Sequence, residues 1–353
     1  MKTIEKKLNI HDALKISITY PRTRSTFDGI NLPFSFFEKD YSGKPELIFK
    51  IGPFNRKIRD CDIVFRNTEI SKRYIYYKKK NGGSLYEVEI AIDPYENMTI
   101  NFNWIKKGIL DAMFPYYRPQ LLILEPIIEF KLLFKKCILL HCAGITITNG
   151  ALIFAGRSGA CKSPIINICL KNISAKYLGD DKVLINDNYA YAFPKNISLF
   201  EYELSRKNAM VELNKTIEKA KSVVYISKKR SIDANSIIGD KRKISSIYLL
   251  IKSNSADIDL QLEPVNLKSM IEFLIYNNFS EFWNYYDIWD HFMAYSYIYT
   301  DFPFRGYMHM LNELLVLNLK DINYIYKLII PKNCTESSIK YFIENQINSI
   351  SYK

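Results

Sequence analysis

Between residues 141 and 181 the sequence brings together a histidine, a loop of small residues closed by Lys-Ser, and two adjacent aspartates. The loop reads Gly156-Arg157-Ser158-Gly159-Ala160-Cys161-Lys162-Ser163. An apolar strand candidate, Ala151–Ala155, runs into it, and an apolar run that suits a helix, Ile165–Leu170, follows it. A strand, a small-residue loop and a helix opening on Lys-Ser form the layout of a phosphate cradle. In such a cradle backbone N–H groups hold phosphate oxygens, the lysine reaches the β- and γ-phosphates, and the serine hydroxyl ligates Mg²⁺. Eighteen residues past Lys162, Gly179-Asp180-Asp181 precedes the apolar Val183-Leu184-Ile185. Paired carboxylates beside a strand supply a metal ligand and a base that accepts a hydroxyl proton. His141 ends the apolar Ile138–Leu140 and offers an acid/base partner or a phosphate contact. Taken singly, the aspartates also read as a turn or cap and His141 as a satisfied core histidine. The order of the three is the signal.

The loop departs from the G-x-x-x-x-G-K-[ST] pattern at one position, where Cys161 replaces the second glycine. If the backbone there is left-handed, a Cβ costs about 1–2 kcal/mol and crowds the phosphate site. Pro164, in the first turn of the expected helix, is sterically acceptable but removes one N–H near that site.

His141-Cys-Ala-Gly, then residues 156–163, then Gly179-Asp180-Asp181-Lys-Val resemble the catalytic segment of HPr kinase/phosphorylase, and more closely the wider group of HPr-kinase-related P-loop proteins. That group shares its fold core with ATP-dependent phosphoenolpyruvate carboxykinase. The resemblance is strongest from about residue 121 to 200 and says little about residues 1–100. It implies ATP and Mg²⁺ as cofactors, with residues 156–163 around the nucleotide phosphates, Lys162 gripping them, and Ser163 and Asp181 at the metal. It further implies that one of Asp180 and Asp181 activates the acceptor hydroxyl, with His141 close by. Arg206, Arg230, Arg242 and Arg305 are candidate transition-state clamps among which the sequence does not choose. The glycine-rich substrate loop of the true HPr kinase is not found, so the expected acceptor is a hydroxyl of another peptide or protein, Ser first.

Positioning these groups requires a mixed α/β framework. Residues 1–104 read as a strand-rich module whose clearest hairpin is Arg73–Lys80, a turn at Asn81-Gly82-Gly83, and Ser84–Ile92. From Trp104 to Lys136 the period becomes helical, divided by Pro115, Pro119 and Pro126, with the last helix expected from about Pro126 to Lys135. Strands follow at 137–142, 145–148 and 151–155, then a hairpin over 182–193 turning at Asp187-Asn188, then strands at 244–252 and 257–262. From Pro264 onward the chain reads as mainly helical, ending in a helix over 335–350. The fold class is therefore α/β, α+β overall. Its expected division is a strand-rich module at 1–104, a P-loop kinase-like core at 105–262 and a helical portion at 263–353.

The 353 residues, 48% hydrophobic and 24% charged, exclude a disordered chain and a collagen-like repeat. A chain of this length buries enough surface to need no disulfide or metal staple. Lys and Arg exceed Asp and Glu by 49 − 37 = 12, which suits anionic partners, but the basic residues are scattered and speak against nucleic acid. Six cysteines show no CxxC pair and no zinc-ligand spacing with histidine. No signal-peptide core and no membrane-length apolar run occur, so a cytoplasmic, reduced protein without a membrane partner is expected. A homo-oligomer is compatible with all of this. His291 and His309 lack the spacing of a metal pair, and the abundant Tyr and Phe are assigned to core packing. Two functions are set side by side: ATP-dependent phosphoryl transfer to a hydroxyl, and an inactive relative that binds nucleotide, anion or peptide as a regulator or scaffold.

Overall fold

A computed structural model describes residues 2–22, 34–57, 61–92, 97–113, 115–194, 237–255, 259–283 and 287–347. Two compact units emerge, one of Met1–Lys135 with Trp283–Met310 and one of Lys136–Phe282 with Leu311–Lys353. Each holds a mixed sheet with helices, an α+β arrangement.

The first unit is built on eight strands: β1 (Thr3–Ile10), β2 (Leu14–Pro21), β3 (Leu47–Ile51), β4 (Ile63–Phe65), β5 (Thr68–Ser71), β6 (Tyr74–Asn81), β7 (Ser84–Ala91) and β8 (Met98–Lys106). Their spatial order is β1-β2-β3-β8-β7-β6-β5-β4, with β3 parallel to both its neighbours. The β6–β7 hairpin closes on two residues, Gly82 and Gly83, at φ 56° and 84°. Asn81 pairs with Ser84 inside the ladder, so both turn positions fall to glycine, which carries positive φ without a Cβ clash. Along β7, Tyr86, Val88 and Ile90 are buried while Glu87 stays half-exposed, as the period of two dictates.

Pro126 does not separate two helices. The backbone runs helically through Tyr117–Pro119, a widened turn at Gln120–Leu124, and Glu125–Phe134. Glu125 N–H donates to the carbonyl of Gln120, five residues back. That π-type turn gives room to a proline ring that would otherwise meet the carbonyl four residues before it. The aromatic residues of this unit do pack as core: Phe130 lies within 5.3 to 5.8 Å, centroid to centroid, of Phe292, Phe302 and Phe304. His291 belongs to the same kind of packing. Its ring stacks on Tyr77 at 3.9 Å, its Nδ1 is 2.8 Å from Thr68 Oγ1, and burial followed by the Lys79 charge pushes its pKa down to about 3.

The second unit holds β9 (Ile138–Leu140), β10 (Cys142–Ile147), β11 (Gly150–Ala155), β12 (Lys176–Gly179), β13 (Val183–Asn186), β14 (Tyr189–Tyr191), β15 (Arg242–Lys252), β16 (Gln261–Pro264) and β17 (Tyr324–Ile330). The order β12-β10-β11-β15-β14-β13-β9 is extended by β17 and β16 beside β15. β11, β15 and β17 run parallel. The β13–β14 turn places Asp187 and Asn188 at φ 50° and 64°, the short polar side chains that tolerate this region best. β17 is the one strand that the helical reading of the C-terminal portion passes over. It opens Tyr-Ile-Tyr, continues through Lys327 into Leu-Ile-Ile and stops at Pro331, a β-prone run that only its pairing with β15 makes decisive. The helix Lys162–Asn172 buries Ile165, Ile168 and Cys169, at the i, i+3, i+4 spacing of one face, in a cluster with Phe154, Tyr177, Tyr248 and Leu250. Burying each such isoleucine contributes roughly 1.5–3 kcal/mol.

Among the described residues no helix is long and apolar enough to cross a membrane. All six cysteines are free thiols.

Candidate functional site

The loop at 156–163 leaves the carboxyl end of β11, the end of parallel strands at which α/β sheets place their ligands. Gly156 is buried, and a Cβ there would stand 3.0 Å from the Leu250 carbonyl oxygen and 3.0 Å from Ala160 Cβ. A side chain there would force these neighbours to give way. Arg157, Ser158 and Gly159 are exposed, with Gly159 at φ 83°, and Ala160 and Cys161 turn back into the core. Cys161 has φ 66° and ψ 22°. The left-handed conformation is therefore occupied by a residue with a Cβ, at a cost of about 1–2 kcal/mol. Lys162 opens the helix, and Ile165 N–H makes the first helical bond to Cys161 O at 3.1 Å. Pro164 thus falls where no intrahelical donor is needed.

A Cys161→Gly variant relieves that strain but gives up a buried thiol and gains the chain entropy of glycine, about 0.5–1 kcal/mol. Little net change in melting temperature is expected. Affinity for a phosphate ligand is expected to rise several-fold, because glycine holds the left-handed backbone at 161 without the Cβ strain and frees the loop to fit around phosphate; titration of the two proteins with ATP·Mg²⁺ checks it.

Lys162 is buried, and its ammonium lies inside the loop. It donates to the carbonyl of Gly156 and, at 3.2 Å, to that of Arg157. It also stands 3.2 Å from His141 Nε2. An ammonium has only donors, so this contact requires a lone pair on Nε2 and places the imidazole proton on Nδ1. Nδ1 faces Asp181 Oδ1 at 3.5 Å. Lysine, histidine and aspartate therefore stand in a row, each turned toward the next. Asp181 is the more open end, with 39% of its side chain exposed.

Strand pairing explains why residues so far apart in sequence meet. β12 and β13 together run antiparallel to β10 and β9: Gly179 pairs with Gly144, and Val183 with Leu140. Both pairs keep one register, so the interrupted stretches 141–143 and 180–182 lie across from each other. At Gly179 the backbone folds so tightly that an added Cβ would overlap the Lys182 carbonyl oxygen. The chain turns sharply there, and Asp181 leaves the ladder beside His141 while Asp180 is held by Tyr177. Burial raises the pKa of Asp180; the hydroxyl of Tyr177, which donates to its Oδ1 at 2.8 Å, opposes that shift, and Asp181 adds to it.

His141 sits at the junction of β9 and β10, outside either strand. Its N–H donates to Asn278 Oδ1 at 2.6 Å, and its carbonyl accepts from Asn277 Nδ2 at 2.9 Å. Asn278 Nδ2 also donates to Leu139 O at 3.1 Å. These two asparagines and Tyr177 carry no motif that the sequence reading uses. Tyr177 lies three residues before Asp180, and the asparagines lie about 137 residues from His141 on the helix Leu267–Trp283.

Arg242, one of the proposed clamps, starts β15, eight residues or roughly 25 Å of strand before Leu250, which backs Gly156. It stands at the wrong end of the sheet for the loop. Arg305, in the first unit, packs over Tyr297 at 4.5 Å. Arg206 and Arg230 lie outside the described residues. Ser163, in the first turn of the helix, is half-exposed. Among the described residues no three His, Cys, Asp or Glu side chains gather to hold a metal. A Mg²⁺ ion brought in with a nucleotide needs only one or two protein oxygens, because phosphates and water fill its octahedron. Ser163 and Asp181 match that donor set.

No protein-family model matches the chain, and no curated protein matches it.

Proposed function

We propose that the second unit binds ATP with Mg²⁺ and transfers its terminal phosphoryl group to a hydroxyl, first a Ser side chain of a peptide or protein. The observation that carries this reading is the row Lys162–His141–Asp181 set across a glycine-turned loop at the carboxyl end of β11. The loop resembles the P-loop of HPr-kinase-related proteins, and the order of its neighbours matches as well. Backbone N–H groups of residues 157–163 and the Lys162 ammonium would hold the phosphates, and Ser163 and Asp181 would hold the metal. Mg²⁺ supplies charge neutralisation on the phosphate oxygens when bound.

Of the two aspartates, Asp180 suits the base. Its carboxyl is partly buried, and desolvation makes it hold a proton more readily than usual, which is what accepting a hydroxyl proton requires. Asp181, open to solvent and beside His141, suits the metal. Lys162 now donates to two loop carbonyls, and an arriving phosphate competes for those same donors with full negative charge.

Titration calorimetry with ATP and Mg²⁺ tests the reading. Binding in the micromolar range that weakens more than tenfold without Mg²⁺, or in Asp181→Ala, supports it. No heat at millimolar ATP from folded protein removes it. A second reading, an inactive relative with a regulatory or scaffolding role, is favoured by the left-handed Cys161 alone. It requires that no phosphate appear on an acceptor or in water, whether the ligand held is a nucleotide, an anion or a peptide.

A further inference from the structure

We infer that Asn277 and Asn278 are positioning residues that hold the imidazole of His141 in line between Lys162 and Asp181; the inference deepens the proposed phosphoryl-transfer site and rests on it for its catalytic meaning. β9 is the last strand in its sheet order, so among the described residues one of its edges has no strand neighbour. Leu139 and His141 are two residues apart and present their backbone groups to the same side. Those groups are met by side chains: Asn278 bridges Leu139 O and His141 N–H, and Asn277 takes His141 O. Two carboxamides on one helix thus stand in for the missing strand over the residue where β9 gives way to β10.

The arrangement is costly if it serves stability alone. Asparagine is a poor helix former, both residues are buried, and the Asn277 carboxamide oxygen has no hydrogen-bond partner among the described residues. A buried unsatisfied acceptor is unfavourable. What the pair secures is the backbone on both sides of the His141 Cα, and hence the direction of its side chain. The ring can then accept from Lys162 through Nε2 while Nδ1 faces Asp181. A helix with apolar residues at 277 and 278 would leave the same backbone groups to water and the ring free to turn.

The test uses the full-length protein and the ring ¹⁵N signals of its four histidines, with His141 assigned by loss of its signals in His141→Gln. In the wild type the His141 ring is expected as a single tautomer, protonated on Nδ1. In Asn278→Ala and in Asn277→Ala the two ring nitrogens are expected to converge toward the averaged shifts of a freely exchanging imidazole. Asn278→Asp, which keeps the acceptor for His141 N–H, is expected to restore most of the separation. Turnover of ATP·Mg²⁺ to phosphate is expected to fall about tenfold in kcat with KM within twofold. Asn277→Ala removes one bond only and serves if Asn278→Ala fails to fold. A wild-type-like His141 ring spectrum in a folded asparagine variant overturns the inference. If the wild type neither binds nor turns over ATP, the phosphoryl-transfer reading fails while the ring spectra still decide the clamp.

Discussion

Replacing Lys162 by alanine is expected to weaken ATP·Mg²⁺ binding by at least a hundredfold, the largest effect of any single side chain in this molecule. The ammonium is buried in the loop against the carbonyls of Gly156 and Arg157. Charge-assisted hydrogen bonds to phosphate are about twice as strong as neutral ones, and the shielded site sharpens the difference. The same change leaves the carbonyls of Gly156 and Arg157 without this donor, at a cost of about 1–3 kcal/mol if water does not replace it. A fall in melting temperature is therefore expected with the loss of binding. Lys162→Met separates the two, because it keeps the length of the side chain and its packing while removing the charge. Calorimetry and thermal melts of both variants check the prediction. Unchanged affinity in Lys162→Met would show that the loop does not bind phosphate through this residue.

Gly179→Ala is expected to disable the site through the backbone. The new methyl group would overlap the Lys182 carbonyl oxygen, a main-chain atom that cannot rotate away. The turn at 179–182 must open, and Asp180 and Asp181 move with it. Overpacking of this kind costs about 1–3 kcal/mol, or ~2–4 °C in melting temperature per kcal/mol for a unit of this size. Displacing catalytic carboxylates by about 1 Å costs on the order of a hundredfold in rate. ATP turnover is expected to collapse while ATP binding, which we assign to the loop at 156–163, is expected to be largely kept. Full turnover in Gly179→Ala would show that the tight turn at 179–182 does not place the reacting groups.

The two variants probe parts of the site that differ in how visibly the sequence encodes them. The loop is local: strand, glycine, small residues, Lys-Ser and helix follow one another in the chain, and the structure sets them out in that order. The turns are local too. Gly82-Gly83 and Asp187-Asn188 adopt the positive φ values that their residue types tolerate, and both hairpins form where expected. Proline at 126 misleads, because its effect depends on whether the preceding turn can widen, and that turn does. β17 is hidden because seven residues without a clear alternation do not announce a strand until β15 lies alongside them in parallel.

By itself, then, the sequence determined the groups that can do chemistry and the local conformations that carry them: the loop with its lysine, the adjacent aspartates, the α+β alternation and the tight turns. Each of these depends on the φ preference or hydrophobic period of a few consecutive residues. The tertiary structure decided what those groups do to one another. It fixed the register that sets 141–143 against 180–182, the left-handed backbone at Cys161, the exclusion of Arg242 from the loop, and the two asparagines that reach His141 from another helix. Contacts between residues more than a hundred positions apart are settled by how helices and strands pack around a shared core. No local pattern records that choice.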